Sequence, residues 1–177
     1  LEFLEYKLDK QHLSRAEETE LREFIEKEEY LSLCDLWEKE QLPQEYPRKR
    51  TINKQGSRKK RVIYTFPGAD GILLKFIAFH LYRYDGYFCN NCYAFRRNFG
   101  VWEAIHRIRS TKNIGQMYCL KVDISNYFNS IDVDILLEKL SFIQDTDLPL
   151  YKLFSKILKE NRVMENTKLL LENHGAM

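Results

Sequence analysis

The spacing of apolar residues predicts that the chain begins with helices. Leu21 and Phe24 lie about one helical turn apart, and Ser14 and Glu17 have the three-residue spacing of a capping box. Leucines continue a helical pattern as far as Trp37. The two prolines that follow, before a strongly basic segment, favour the end of this helical region.

A basic hairpin is predicted next. Lysines and arginines crowd the segment 48–61, which contains no acidic residue, and Gly56 with Ser57 indicates a turn in its middle. The β-branched and aromatic residues of 62–66 favour a strand, and Pro67 ends it.

Four amphipathic patterns in the remaining chain predict helices. We expect Asp70 to cap a helix whose apolar stripe extends to Tyr84. Residues 101–109 combine an apolar face, which we expect to be buried, with outward basic residues. Two more helices are predicted, one capped by Asp132 and one over residues 150–158.

The segment 117–124 shows the two-residue alternation of a strand. Leu120, Val122 and Ile124 fall on one face, and Asp123 falls on the other. We expect the apolar face to pack on a core and to display the Asp123 carboxylate at the strand end. Together the elements predict an α+β fold.

The net charge changes sign along the chain, although the total is only +2. Residues 1–45 contain 14 acidic and 6 basic residues, whereas residues 48–122 contain 16 basic and 3 acidic residues. From Asp123 onward there are 6 basic and 9 acidic residues. The cationic middle segment favours contact with a polyanion, and a segment richer in carboxylates follows it.

Composition narrows the class of protein. With 177 residues, of which 44% are hydrophobic, the chain can bury a core, and this excludes a wholly disordered or collagen-like protein. The apolar run 72–82 is too short for a membrane span of about 20 residues. The four cysteines form no disulfide pattern, so we expect reduced thiols and an intracellular, cytoplasmic protein, with association to the nucleoid as an alternative.

Four stretches match, in order, the motifs of one family. In Lys121–Asp132 an Asp is followed five residues later by an aromatic residue and then by Ser-Ile. In Lys60–Asp70 a basic pair leads a strand to Pro and then to Asp, Asn91–Arg96 contains an aromatic-Ala-aromatic-Arg sequence, and Gly175–Met177 begins with Gly-Ala. These stretches resemble the fingers and palm of a reverse transcriptase, similar to those of bacterial group II introns or retrons.

The resemblance implies a right-hand polymerase arrangement with three parts. They are a helical N-terminal region over 1–46, a fingers-like subdomain over 47–116 and a partial palm over 117–177. It implies two-metal nucleotidyl transfer from dNTPs to a primer 3′ end, with Mg²⁺ or Mn²⁺ as cofactor. The implied partners are an RNA template, a DNA primer and dNTPs, and no membrane.

The resemblance also implies roles for residues of the palm motif. Asp123 would be the catalytic, metal-binding carboxylate, and the backbone carbonyl of Ile124 would help to hold the second metal. Phe128 would lie under the sugar of the nucleotide, where its ring would leave no room for a 2′-hydroxyl.

Basic residues of the fingers would bind the nucleotide and the nucleic acid. Arg61 would lie against the incoming nucleotide, with Lys59 or Lys60 reaching its phosphates. The further residues expected to bind nucleic acid are Arg48, Lys49, Arg50, Lys54, Arg58, Arg96 and Arg97.

The chain departs from the family at several positions. Gly71 stands where many relatives have Arg, and Ala94 stands where they have Gly. The family's second pair of aspartates follows the Gly-rich motif, and Asp132, Asp134, Asp145 and Asp147 are poor substitutes for it. We therefore expect the full-length protein to polymerise, but not these 177 residues alone.

Other classes of function stay open on the sequence. A non-catalytic RNA- or DNA-binding module would track phosphates with the basic hairpin and stack bases on aromatic residues, here Tyr64, Phe66, Tyr93 and Phe95. A structural domain would bind a protein through its acidic first part. Cys89 and Cys92 have the spacing of half a zinc site, but the chain has no second such pair, so zinc is not expected.

Overall fold

The computed structural model describes residues 2–10, 13–53, 56, 58–97, 99–125, 127 and 130–172. It confirms a mixed α+β fold, in two compact units. The first unit is Leu1–Ile77 together with Phe128–Met177, and the second is Ala78–Tyr127. The three predicted parts were defined by the resemblance to the fingers and palm, whereas the two units are defined by contacts within the chain. The boundaries of the three parts stay a prediction.

Helices account for most of the regular structure. In chain order the elements are α1 (Glu2–Lys10), α2 (Arg15–Glu26), α3 (Glu29–Glu38), β1 (Arg48–Asn53), β2 (Lys60–Thr65), α4 (Gly68–Leu81), a 3₁₀ helix (Tyr82–Tyr87), α5 (Val101–Arg109), a short 3₁₀ turn (Ile114–Gln116), α6 (Val133–Lys139), α7 (Phe142–Thr146), α8 (Leu148–Leu158), β3 (Arg162–Glu165) and β4 (Lys168–Leu171).

Local sequence signals explain several of these elements. Ser14 caps α2, and its capping box with Glu17 forms as predicted, with the Ser14 N–H donating to Glu17 Oε2 at 3.0 Å. Asp132 caps α6 as predicted, because its Oδ1 accepts from the N–H groups of Asp134 and Ile135 at 3.0 and 3.1 Å. Gly56, at the tip of the predicted hairpin, has the left-handed φ of +73° that glycine adopts without strain.

The first unit contains a four-stranded sheet in the order β2-β1-β3-β4. β1 and β2 form the predicted antiparallel hairpin, and β3 and β4 form a second hairpin. The two hairpins meet in a parallel pairing of Arg48 with Met164, where the Met164 N–H donates to the Pro47 carbonyl at 2.9 Å. β1 is therefore an inner strand of the sheet.

The core of the first unit lies among its helices. α8 buries residues at helical spacing, namely Leu150, Leu153, Phe154 and Ile157. Phe76 on α4 packs edge-to-face against Phe3 and Trp37, with ring centroids 5.7 and 5.4 Å apart. Aromatic contacts thus join α1, α3 and α4.

Asp70 has a different role from the predicted helix cap. α4 begins at Gly68, so Asp70 lies inside its first turn and is 5% exposed. Its Oδ2 accepts from the backbone N–H groups of Gln44 and Glu45 at 3.0 and 2.8 Å. The carboxylate therefore holds the linker that leads into β1.

The predicted strand over 117–124 is wrong for this structure, because these residues have no regular secondary structure. The apolar side chains expected on a core are exposed: Leu120 by 85%, Val122 by 82% and Ile124 by 65%. A strand requires a neighbour with which to exchange backbone hydrogen bonds, and the described strands β1–β4 pair only with one another.

The expected burial of the apolar face of α5 is also wrong. The helix forms at the predicted residues, but Val101 is 74% exposed and Ile108 is 56% exposed. Helical periodicity shows that a face is apolar, but not that the described part of the fold covers it.

In the described part of the chain, no helix has both the length and the apolar content that crossing a membrane requires.

Replacement of Asp70 by Ala is expected to lower the free energy of unfolding by about 1–3 kcal/mol, because two backbone N–H groups lose their partly buried hydrogen bonds to the carboxylate. Urea unfolding measures the change. Asp145, an exposed carboxylate, provides the control, and Asp145→Ala is expected to have little effect. Equal stability of Asp70→Ala and the unmodified protein would contradict the assigned role.

Candidate functional site

The hairpin β1–β2 separates its basic residues onto two faces. Because side chains alternate along a strand and directly opposed residues share a face, the register places Arg48 and Arg50 with Arg61 on one face. Lys49 and Lys60 lie on the other face. Arg61 and Lys60, both predicted to bind the nucleotide, therefore project from opposite sides of the hairpin.

The face that carries Arg48, Arg50 and Arg61, here called the arginine face, is the exposed cationic surface of the hairpin. All three residues are exposed. Arg48 donates to Glu45 at 3.1 Å, whereas Arg50 and Arg61 form no ion pair within the described residues. Guanidinium groups bind phosphate through two parallel hydrogen bonds, so this face can bind an anion.

Lys49 has a structural role on the opposite face. Its Nζ lies 2.6 Å from Glu172 Oε1 and 3.8 Å from Glu165 Oε2, so the ammonium joins the first hairpin to the second. The hydrogen bond to Glu172 raises the pKa of Lys49 above its ordinary value. The two glutamates were not predicted, because no local sequence signal relates residue 49 to residues so far along the chain.

The remaining basic residues of the hairpin lie near its tip. Arg58, Lys59 and Lys60 are exposed, as nucleic-acid contact requires. Lys54 lies outside the described residues. Nucleotide and nucleic-acid binding by these side chains stays a prediction.

Arg96 holds a turn in the second unit. Its Nη1 donates to the backbone carbonyls of Cys89 and Cys92 at 3.0 and 3.2 Å. The guanidinium carbon lies 4.0 Å from the centroid of the Phe99 ring, in a cation–π contact. The Nη1 group of Arg96 is thus directed to the protein's own backbone.

Arg97 makes similar contacts with the end of α4 and the 3₁₀ helix that follows. Its guanidinium lies 4.4 Å from the ring centroid of Phe79 and 5.1 Å from that of Tyr82. The Arg97 N–H donates to Asp85 Oδ2 at 2.9 Å. Although Arg97 is exposed, these contacts give it a structural role, and its binding to nucleic acid stays a prediction.

Asp123 and Ile124 present oxygen atoms on an exposed segment of the second unit. Among the residues that the structure describes, no group of three or more His, Cys, Asp or Glu side chains is placed to hold a metal ion. Arg61 belongs to the first unit. Phe128 and Gly175–Met177 lie outside the described residues.

Other aspartates that follow Asp123 in the chain serve the fold. Asp132 caps α6, and Asp147 accepts from the Leu150 N–H at 3.1 Å at the start of α8. Asp134 lies 3.1 Å from the Lys159 ammonium. Each of these three carboxylates thus has a contact within the protein, and their unsuitability as a second catalytic pair stays a prediction.

A cavity of about 610 Å³ lies in the first unit between α3 and α8. Its apolar lining includes Trp37, Leu42, Leu148, Pro149 and Leu153. Lys152 and Glu40 form an ion pair of 2.8 Å at the same cavity. None of the residues predicted to bind metal, nucleotide or nucleic acid lines it.

Comparison of the chain with protein-family models, with curated proteins and with solved structures finds no match.

The donors present suit part of a Mg²⁺ or Mn²⁺ site. Magnesium is usually held by one or two protein carboxylates together with water and substrate phosphates. The exposed Asp123 carboxylate is a donor of this chemical type, and the Ile124 carbonyl is a second oxygen of the same hard type. A complete two-metal site needs at least one more carboxylate than this segment contributes.

Replacement of Lys49 by Met is expected to lower the urea midpoint of unfolding, because Glu172 and Glu165 lose their shared cation. The raised pKa sets the pH dependence. The stabilisation is fully present below the ordinary lysine pKa of about 10.4 and is lost as the pH rises through the higher folded value. The difference in stability between the unmodified protein and Lys49→Met should therefore shrink at strongly alkaline pH.

Lys60→Met is the matched control, because Lys60 lies on the same face and is exposed. It should leave the midpoint nearly unchanged. A Lys49→Met midpoint equal to that of Lys60→Met would show that the bridge contributes nothing.

Proposed function

We propose that this chain is the fingers and the first palm segment of an RNA-directed DNA polymerase. In the full-length protein the reaction is two-metal transfer of a nucleotide from a dNTP to a primer 3′ end on an RNA template. The 177 residues alone are inactive in this proposal, because a second aspartate pair is needed to complete the metal site.

The observation that carries the proposal is the motif around Asp123, preceded in family order by the basic hairpin. The local structure of the hairpin region supports it. β2 begins at the basic pair Lys60 and Arg61, ends before Pro67 and is followed directly by α4. This order of strand, proline and helix is the one that the resemblance implies for the fingers.

The proposed roles follow from the chemistry of the side chains. Asp123 would hold the metal through its carboxylate, with the Ile124 carbonyl as a further ligand. Arg61 neutralises the triphosphate from the arginine face, and Lys59 is the lysine better placed to assist, because Lys60 lies on the opposite face. Phe128 keeps its proposed place under the sugar.

When bound, Mg²⁺ or Mn²⁺ would supply the positive charge that stabilises the developing negative charge of phosphoryl transfer. Asp123 positions that charge, and the basic residues of the fingers orient the phosphates.

A second candidate, a non-catalytic RNA- or DNA-binding module, is favoured by the exposed aromatic side chains near basic residues. Phe95 is 89% exposed and Trp102 is 73% exposed. Rings displayed in this way can stack on unpaired bases, and neighbouring cations can track the phosphate backbone.

Asp123→Asn in the full-length protein is expected to reduce DNA synthesis about a hundredfold or more, because the isosteric amide loses the negative charge that holds the metal. Primer extension on an RNA template measures it, and an RNA-binding titration should give an affinity close to that of the unmodified protein. Asp145→Asn, at an exposed carboxylate outside the motif, is the control and should retain synthesis. Unchanged synthesis by Asp123→Asn would remove the enzyme proposal, and binding without any synthesis by the unmodified protein would favour the second candidate.

Arg50→Ala and Arg61→Ala are each expected to lower the slope of log K against log salt concentration by about 0.7 for single-stranded RNA, because each removes one phosphate contact. Fluorescence anisotropy at several salt concentrations measures the slope. Lys49→Met should leave it unchanged, since its ammonium is held by two glutamates. Equal slopes for all three variants and the unmodified protein would mean that the arginine face does not contact the phosphates of the RNA.

A further inference from the structure

Cys89 and Cys92 lie at the two ends of a tight turn in the second unit. The Cys92 N–H donates to the Cys89 carbonyl at 3.0 Å, which closes a four-residue turn through Asn90 and Asn91. A turn of this type keeps its first and fourth Cα atoms within about 7 Å. Disulfide bonds span Cα separations of about 4.4–6.8 Å, so the backbone already holds the two residues in a suitable range.

Arg96 fixes this turn from one side. Its Nη1 donates to the carbonyls of both cysteines, and its guanidinium lies against the Phe99 ring. In addition, Arg96 Nε is buried and has no hydrogen-bond partner within the described structure. Burial of an unsatisfied nitrogen costs free energy. Because Arg96 Nε is buried at this cost while the side chain holds both ends of the turn, we infer that its contacts favour this one conformation of the turn.

The two thiols differ in access. Both are free, Cys89 is exposed, and Cys92 is half-buried with its Sγ 3.8 Å from the Ala94 carbonyl. An exposed thiol next to a less accessible one is the arrangement of an attacking cysteine and a resolving cysteine.

We propose that Cys89 and Cys92 form a site of reversible thiol oxidation, whose co-substrate is a small disulfide such as oxidised glutathione. The Cys89 thiolate attacks one sulfur of the co-substrate, forms a mixed disulfide and expels one glutathione thiolate. The Cys92 thiolate then attacks the Cys89 sulfur and releases the second glutathione. Two electrons pass from the cysteine sulfurs to the co-substrate, and the two thiol protons end on the two glutathione molecules.

The reaction proposed for this site does not depend on the proposed polymerase function, although the site shares Arg96 with the residues predicted to bind nucleic acid. Contacts of Arg96 with the turn make it a positioning residue. Without the Arg96 side chain, both thiols should still be present, but the turn should hold them together less closely.

The test uses the 177-residue chain with Cys34 and Cys119 replaced by Ser, since both are exposed and their removal leaves only the pair. The protein is equilibrated with reduced and oxidised glutathione at several ratios, quenched with acid and analysed by mass spectrometry. We expect a species lighter by two hydrogen atoms that reducing agent converts back to the dithiol. Circular dichroism of both forms verifies that the chain is folded.

Arg96→Ala is expected to lower the equilibrium constant for disulfide formation about tenfold, equivalent to about 30 mV in reduction potential. Arg97→Ala is the matched control, because Arg97 is the adjacent arginine and its guanidinium lies against the rings of Phe79 and Tyr82 instead. It should leave the constant nearly unchanged.

Three outcomes would overturn the proposal. The folded chain could keep both thiols free at every glutathione ratio, or it could accumulate glutathione on each cysteine without closing the bond. Release of stoichiometric zinc when the thiols of the unmodified protein are alkylated would assign the pair to metal binding instead. Equal effects of Arg96→Ala and Arg97→Ala would remove the assigned role of Arg96.

Discussion

The hydrogen bonds from the backbone of Gln44 and Glu45 to the buried Asp70 carboxylate are the constraint on which the sheet depends. They hold the linker after the N-terminal helices against α4, and this linker leads directly into β1. Since β1 pairs with β2 on one side and β3 on the other, its position fixes both hairpins. Hydrogen bonds to a buried carboxylate are well suited to this role, because bonds to a charged acceptor are stronger than those between neutral groups.

The fold divides the basic residues of the segment 48–122 into two groups, one that stabilises the structure and one that is exposed to solvent. Lys49, Arg96 and Arg97 hold parts of the chain together through carboxylates, carbonyls and aromatic rings. Arg50 and Arg61 remain on an exposed face of the hairpin. The net charge of a segment therefore overstates the number of cations that can bind a polyanion. In the hairpin, the alternation of side chains along the strands decides on which face each basic side chain lies.

Features that depend on neighbours in sequence could be predicted, whereas those that depend on distant partners could not. The capping box at Ser14, the turn at Gly56 and the cap at Asp132 are all set within a few residues. Asp70 looks like a helix cap by the same local rule, but its partners lie 25 and 26 residues upstream. The strand expected around Asp123 fails for a related reason, since alternation describes a face and does not supply a neighbouring strand. The hairpin of β3 and β4 was missed because its turn, Asn166-Thr167, lacks the glycine that usually identifies such turns. Of the candidate site, the exposed arginines agree with expectation, and the binding roles themselves stay predictions.

The narrow junction between the two hairpins has a consequence for how the sheet forms. Each hairpin pairs residues that are close in sequence, so each can close early and at small entropic cost. Their junction at Arg48 and Met164 joins distant parts of the chain through a short parallel contact. The long-range pairing that unites the two hairpins therefore closes a much longer loop than either hairpin and carries a larger entropic cost.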